Sequence, residues 1–175
     1  MFRKCKIVLK VFGLCALLYL CLFNLSAVRG RSMAPGIHEA DRIFVDPFSY
    51  LLHEIERGDI ITFKYPLAPW VDYVKRVIGI PGDEVVMDCG RVFVNGLELV
   101  EPYVEAQDPE SRVRVLVPST HYFVLGDNRL KSCDSRKFGF VPLDYIHGKV
   151  TFRVWPPTRF GMIGGGSGAL LAKER

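Results

Sequence analysis

Residues 71–83 read VDYVKRVIGIPGD, Val71 through Asp83. Valine, isoleucine and tyrosine dominate the first ten positions, which predicts a β-strand. A strand repeats every two residues, so Lys75 shares its face with Tyr73 and Val77. A lysine among apolar neighbours loses hydration of its ammonium, which lowers its pKa and frees the neutral amine to act as a base. A lysine reaching out to water from an edge strand fits the same residues. Pro81-Gly82-Asp83 then ends the strand with turn chemistry.

On either side the pattern repeats. Residues 41–46 (DRIFVD), 59–64 (DIITFK), 84–87, 91–94, 112–117, 122–125 and 149–154 are short and rich in Val, Ile, Phe and Tyr. Asn95-Gly96 and Gly126-Asp127-Asn128 punctuate them, and Asp88-Cys89-Gly90 reads as a hairpin loop. Short helices are expected only at 48–56 and 143–147, and no repeat is present. The fold class is therefore mainly β, one antiparallel domain over residues 29–160. The tail 161–175 holds Gly164-Gly165-Gly166 and is expected to be mobile.

Residues 11–28 carry no charge. As a helix they would extend about 27 Å, enough to cross a hydrocarbon core of about 30 Å with Lys10 and Arg29 at its ends. Arg3, Lys4, Lys6 and Lys10 precede the run, which predicts a cytoplasmic segment 1–10, a transmembrane helix 11–28 and an extracytoplasmic remainder. A cleavable leader is the alternative, since Leu25-Ser26-Ala27 ends on a small residue, but the run is longer than the ~7–15 residues of a leader core.

The 175 residues are 49% hydrophobic and 24% charged, a folding composition. A net charge of +4 without a long basic run does not point to nucleic acid. Five cysteines include no C-x-x-C pair and no zinc-ligand spacing. An oxidising compartment would allow Cys89 and Cys133 to pair; two unrelated thiols fit equally.

Two further features bear chemistry. Ser32 stands four residues beyond the apolar run, in Ser32-Met33-Ala34-Pro35-Gly36-Ile37, where a hydroxyl would be held near the lipid surface. Taken alone it reads as a turn residue beside Pro-Gly. The polar run 126–136 (GDNRLKSCDSR) follows an apolar strand. Asp127, Arg129, Asp134 and Arg136 can frame it with salt bridges, and Ser132 or Ser135 can orient an amine; an ordinary charged loop has the same composition.

Four blocks in order, Ser32-Met33-Ala34-Pro35, residues 58–63 (GDIITF), 75–83 (KRVIGIPGD) and 126–136 continued by Phe138-Gly139-Phe140-Val141-Pro142, resemble the bacterial type I signal peptidases of the Ser/Lys peptidase superfamily. The resemblance implies Ser32 as nucleophile and Lys75 as its base, with Ser132 similar to the hydroxyl that orients the lysine and Asp134 and Arg136 in support. Met33, Ile37, Tyr73 and Val74 match positions that line small apolar substrate pockets. It implies no metal or organic cofactor. The partners it implies are membrane lipid and exported precursors with small residues before the cut, with the catalytic domain on the extracytoplasmic face of the plasma membrane. No oligomeric state follows from it.

Gly30 departs from members that carry a serine two residues before the nucleophile, whose hydroxyl completes the oxyanion hole; other members have glycine there. The short segment between Asp83 and Gly126 implies a reduced accessory β region. Met33-Ala34-Pro35-Gly36-Ile37 departs from the commoner text and leaves open a pilin-maturing relative from conjugative transfer. Other readings are a self-cleaving repressor, a Ser-His-Asp hydrolase using His38, His121 or His147, and an inactive signal-sequence-binding protein. The first lacks space for a DNA-binding unit.

Overall fold

A computed structural model describes residues 24–164 and, outside that stretch, positions 6, 8, 10–15, 17, 170 and 171. Its first elements are β1 (Leu25–Ala27), β2 (Arg42–Asp46), α1 (Ser49–Leu52), β3 (Ile60–Tyr65) and β4 (Ala68–Gly79). Then follow β5 (Glu84–Asp88), β6 (Arg91–Val94), β7 (Leu97–Val100), β8 (Val113–Leu116), β9 (His121–Leu125) and α2 (Ser135–Phe138). The chain continues through β10 (Val141–Pro142), β11 (Ile146–Trp155), β12 (Gly161–Met162) and β13 (Leu170–Leu171).

All strand pairs are antiparallel. One sheet runs β1-β2-β11-β3-β4-β9-β10 with β12 on β11, and the other runs β13-β7-β6-β5-β8. The second is built largely from the segment between Asp83 and Gly126.

The first sheet is buried on both faces at its centre. Along β3, Ile60 joins a cluster with Met33, Ile37 and Val45, while Ile61 and Phe63 join another with Val77 and Val124. A strand covered on both sides reads as an unbroken apolar run, as IITF does. A third cluster, including Ile78, Val85, Val117 and Phe123, fills the space between the sheets.

The junction lies in the stretch 79–83. A Cβ on Gly79 would come within 2.6 Å of Val85 and 2.9 Å of Val117, so the sheets approach too closely there for any side chain. Asp83 then binds both sides of the turn. It accepts from Arg57 Nε at 2.7 Å and Arg57 Nη2 at 2.5 Å, from the Ile80 amide at 2.9 Å and from Asn95 Nδ2 at 2.9 Å. Burial works against its charge, but these bonds prevail and hold its carboxyl below the usual range.

Several expectations change. The helix expected over 11–28 does not reach its end, because Leu25–Ala27 is a strand hydrogen-bonded to β2 with Leu25 opposite Phe44. Positions 6, 8, 10–15 and 17 are helical, whereas 16 and 18–23 fall outside the described residues. Among the described residues no helix is long and apolar enough to cross a membrane. Part of the tail expected to be mobile is ordered. Ile163 is buried in the core, the Gly164 carbonyl accepts from Arg76 at 3.3 Å, and Leu170 pairs with Val100. The helix expected at 143–147 is one 3-10 turn at Leu143–Tyr145 running into β11. Strand β7 was not anticipated, its four residues being too few to show a period. Cys89 is exposed, Cys133 is half-buried, and both are free thiols.

Replacing Asp83 by Ala should lower unfolding stability by about 1.5–3 kcal/mol, the range for hydrogen bonds to a charged group. Urea denaturation would measure it, and an unchanged midpoint would show that the turn holds without the carboxylate.

Candidate active site

Ser32 sits in a tight turn between β1 and β2. The Ala34 amide donates to the Arg31 carbonyl at 3.3 Å and the Ile37 amide to that of Met33 at 2.8 Å. Met33 and Ile37 anchor this turn in the core, at 2% and 0% exposed. The Ser32 carbonyl is held in turn by the Asn128 amide at 3.0 Å. Among the described residues its own N–H takes no part in a backbone hydrogen bond.

β4 brings Lys75 to the same place. Opposite Ile61 in the sheet, it is only 4% exposed. Its Nζ lies 2.8 Å from Ser32 Oγ and donates to the Val74 carbonyl at 2.9 Å, with the Tyr73 ring centroid 4.9 Å away. Burial lowers its pKa to about 8, against the pull of Asp134, Cys133 and Asp127, which favour the ammonium. Roughly a tenth of the molecules therefore hold a neutral amine at pH 7, against a few in ten thousand for an ordinary lysine. A neutral amine has one lone pair. With one N–H committed to Val74, that lone pair can meet the Ser32 hydroxyl proton.

The run 126–136 closes the site from the other side. Asp134 caps α2 through the Arg136 amide and accepts from the Gly126 amide at 3.0 Å. Arg136 returns two bonds to Asp134, each 2.8 Å, and another to the Arg129 carbonyl at 2.8 Å. The frame expected from Asp127, Arg129, Asp134 and Arg136 exists, but three of its four ion pairs reach outside the run, that of Arg136 with Asp108 among them. Asp127 pairs with Arg76 on β4 and Arg129 with Glu101.

Ser132 Oγ is buried and makes no hydrogen bond of normal geometry, to Lys75 or to any other group, although it lies near enough to Asp134 to favour that carboxylate's charge. Ser135, the other candidate hydroxyl, donates no bond to an amine; its Oγ accepts from the Val124 amide at 2.9 Å.

A cleft of about 1030 Å³ opens over Ser32 and Lys75. Met33, Tyr73 and Val74 line it, together with β1, Thr62 and Cys133. Ile37 lies outside this lining, enclosed in the core. Of the histidines, His147 pairs with Asp72 at 2.9 Å on the cleft wall, His38 contacts Arg159, and His121 contacts the Ser119 carbonyl. None is bonded to Ser32, whose hydroxyl partner is Lys75. Among the described residues no group of His, Cys, Asp or Glu is placed to hold a metal ion.

Two contributors escaped the sequence reading. Arg76, the neighbour of Lys75, is 3% exposed and binds Asp127 through two bonds of 2.9 and 2.8 Å. Gly126 packs so tightly against the Ser132 side chain and the Ser32 carbonyl that a Cβ would meet both at once. Its signal was its place at the end of an apolar strand, which also suits an ordinary turn glycine.

The family model "Signal peptidase, peptidase S26" matches residues 1–155. A probable signal peptidase I-2 of Synechocystis is 40% identical over 141 residues, 78% of this chain and 65% of that protein. A signal peptidase I of Bacillus caldolyticus is 40% identical over 159 residues, 83% of this chain and 86% of that one. Signal peptidase IB of Staphylococcus aureus is 36% identical over 154 residues, covering 76% and 78%. The crystal structure of a signal peptidase I from Enterococcus faecalis superposes with a TM-score of 0.51 at 34% identity, covering 57% of this chain and 98% of that one.

A Cβ on Gly126 would lie 2.3 Å from Ser132 Oγ and 2.5 Å from the Ser32 carbonyl oxygen. Gly126→Ala should therefore cost about 1–3 kcal/mol of stability by overpacking and slow labelling of Ser32 by a serine-directed acylating probe about 100-fold. Labelling at the unaltered rate would show that the loop can yield without moving Ser32.

Proposed function

The chain belongs to the signal peptidase family, peptidase S26, and on that premise we propose that it removes signal peptides from exported precursors with Ser32 as nucleophile and Lys75 as general base. The observation that carries this reading is the 2.8 Å contact between Ser32 Oγ and a buried amine whose pKa is lowered to about 8. A serine hydroxyl is a poor nucleophile until a base takes its proton.

The steps follow from that contact. Lys75 Nζ accepts the Ser32 proton as Oγ attacks the scissile carbonyl. The Ser32 N–H donates to the oxyanion. Lys75 then returns the proton to the leaving amine, and the signal peptide remains as an ester on Ser32. Water, deprotonated by the same amine, hydrolyses the ester. Asp134 and Arg136 hold the loop that carries Ser132. Gly30 brings no hydroxyl to the oxyanion.

The cleft suits an extended peptide. Among the described residues β1 is the edge of its sheet, where a substrate strand can pair. Met33, Tyr73 and Val74 leave room for small side chains before the cut. An N-terminal anchor within 11–28, with residues 1–10 cytoplasmic and the catalytic domain outside, would hold this cleft where signal sequences leave the bilayer. Trp70, 85% exposed and lining the cleft, suits the membrane interface. No observation favours a dedicated pilin substrate.

Ser32→Ala and Lys75→Ala should each abolish processing of a precursor in detergent or liposomes; normal cutting by either would refute the dyad. The plot of kcat/KM against pH should rise to a plateau with a midpoint near 8, since the ammonium form, dominant below it, accepts no proton. A midpoint in the ordinary lysine range, or a flat profile, would remove Lys75 from the role of base.

A further inference from the structure

The loop that carries Ser132 is gripped from outside by groups the mechanism does not use. Arg129 is 2% exposed, one of the largest fully buried side chains. Its Nε donates to the Gly126 carbonyl at 3.1 Å, and its two remaining nitrogens donate to Glu101 at 2.9 and 2.5 Å. Both side chains of that pair are almost wholly enclosed, at 1% and 3% exposed. Glu101 directly follows β7 in the second sheet. Two residues on, Tyr103 donates its hydroxyl to Glu101 at 2.8 Å and lays its ring against Arg76, 3.8 Å from the guanidinium carbon. Arg76 in turn holds Asp127. From the same connection, Asp108 accepts from Arg136 at 2.8 Å.

A buried ion pair is a weak source of stability, because desolvation consumes most of its Coulombic gain. What it does supply is a defined distance. Arg129 ties both Glu101 oxygens and the Gly126 carbonyl to one rigid guanidinium, and Gly126 packs against the Ser132 side chain and the Ser32 carbonyl without room for a Cβ. A shift of the Glu101 carboxylate therefore passes through Arg129 to Gly126, and from there to both serines.

We propose that Glu101 and Tyr103, in the connection between β7 and β8 of the second sheet, are positioning residues for the reaction at Ser32, acting through Arg129 and Arg76 on the segment 126–129. This rests on the reading of Ser32 as nucleophile. It gives the accessory sheet a part in catalysis although it contributes no residue to the cleft.

The test uses the full chain in detergent micelles with a precursor peptide, comparing Glu101→Gln, Tyr103→Phe, Ser32→Ala and, as a surface control, Glu98→Gln. Glu98 lies on β7 in an exposed 3.9 Å pair with Arg91. Well below the melting temperature, Glu101→Gln should lose about 10- to 100-fold in kcat with KM little changed, the scale of a small misplacement of reacting groups. Tyr103→Phe, which removes a single oxygen and should fold in any case, should lose about three- to tenfold. The acid limb of Glu101→Gln should move up toward the ordinary lysine value as water reaches Lys75, and Glu98→Gln should match the parent.

Lower melting temperatures with kcat and the acid limb unchanged would overturn the proposal and leave the brace merely structural. If Glu101→Gln does not fold, unaltered kcat in Tyr103→Phe overturns it equally. Full activity in Ser32→Ala would instead defeat the underlying reading. An inactive Ser32→Ala beside a normal Glu101→Gln would defeat only this inference.

Discussion

An amine held out of water against a hydroxyl is the constraint on which the rest of the structure depends. Lys75 is charged wherever water can reach it, and a charged lysine is no base. The protein must therefore bury Nζ, tolerate the cost, and still leave its lone pair facing Ser32. β4 meets the first need by running through the middle of a sheet that is covered on both sides. The Val74 carbonyl meets the last by taking one N–H and fixing the direction of the amine. The carboxylates of Asp134 and Asp127 favour the ammonium, but each has an arginine of its own, and burial prevails.

Those arginine pairs explain why so polar a loop can stand beside a desolvated amine. Each carboxylate near Lys75 is committed elsewhere, Asp127 to Arg76 and Asp134 to Arg136 and the Gly126 amide. The arginines carry the constraint outward to Glu101 and Asp108, so the geometry of Ser32 is anchored both in the first sheet and in the connection between β7 and β8 of the second. The junction at Gly79 and Asp83 sets how the sheets meet, and hence where that anchorage lies.

Much of this was legible in the chain. The seven residue runs around the opening stretch, and most of the stretch itself, became strands because their β-branched and aromatic residues suit a pleated, half-buried surface; 149–154 lies within the longer β11. Ser32, Lys75 and the run 126–136 were recognisable as blocks, and the structure brings all three together. The shortest elements were not legible. β7 has four residues, and β1 lies inside an apolar run that suits a helix equally well, so only pairing with β2 decides it. The tail looked loose because glycines carry no packing signal, although Ile163 beside them is buried. Ile37 matched a pocket position, yet its side chain closes the core beneath the turn.

The sequence by itself determined the chemistry available: a serine past an apolar segment, a lysine in an apolar strand, and a polar loop rich in paired charges. These are properties of residue type and local period, which need no partner. Only the tertiary structure decided that the lysine is buried rather than reaching to water, that Asp127 belongs to Arg76 and Arg129 to Glu101, and that Gly126 packs against two serines about a hundred residues apart. Desolvation and ion pairing depend on what surrounds a group in space, and nothing in its neighbours along the chain specifies that.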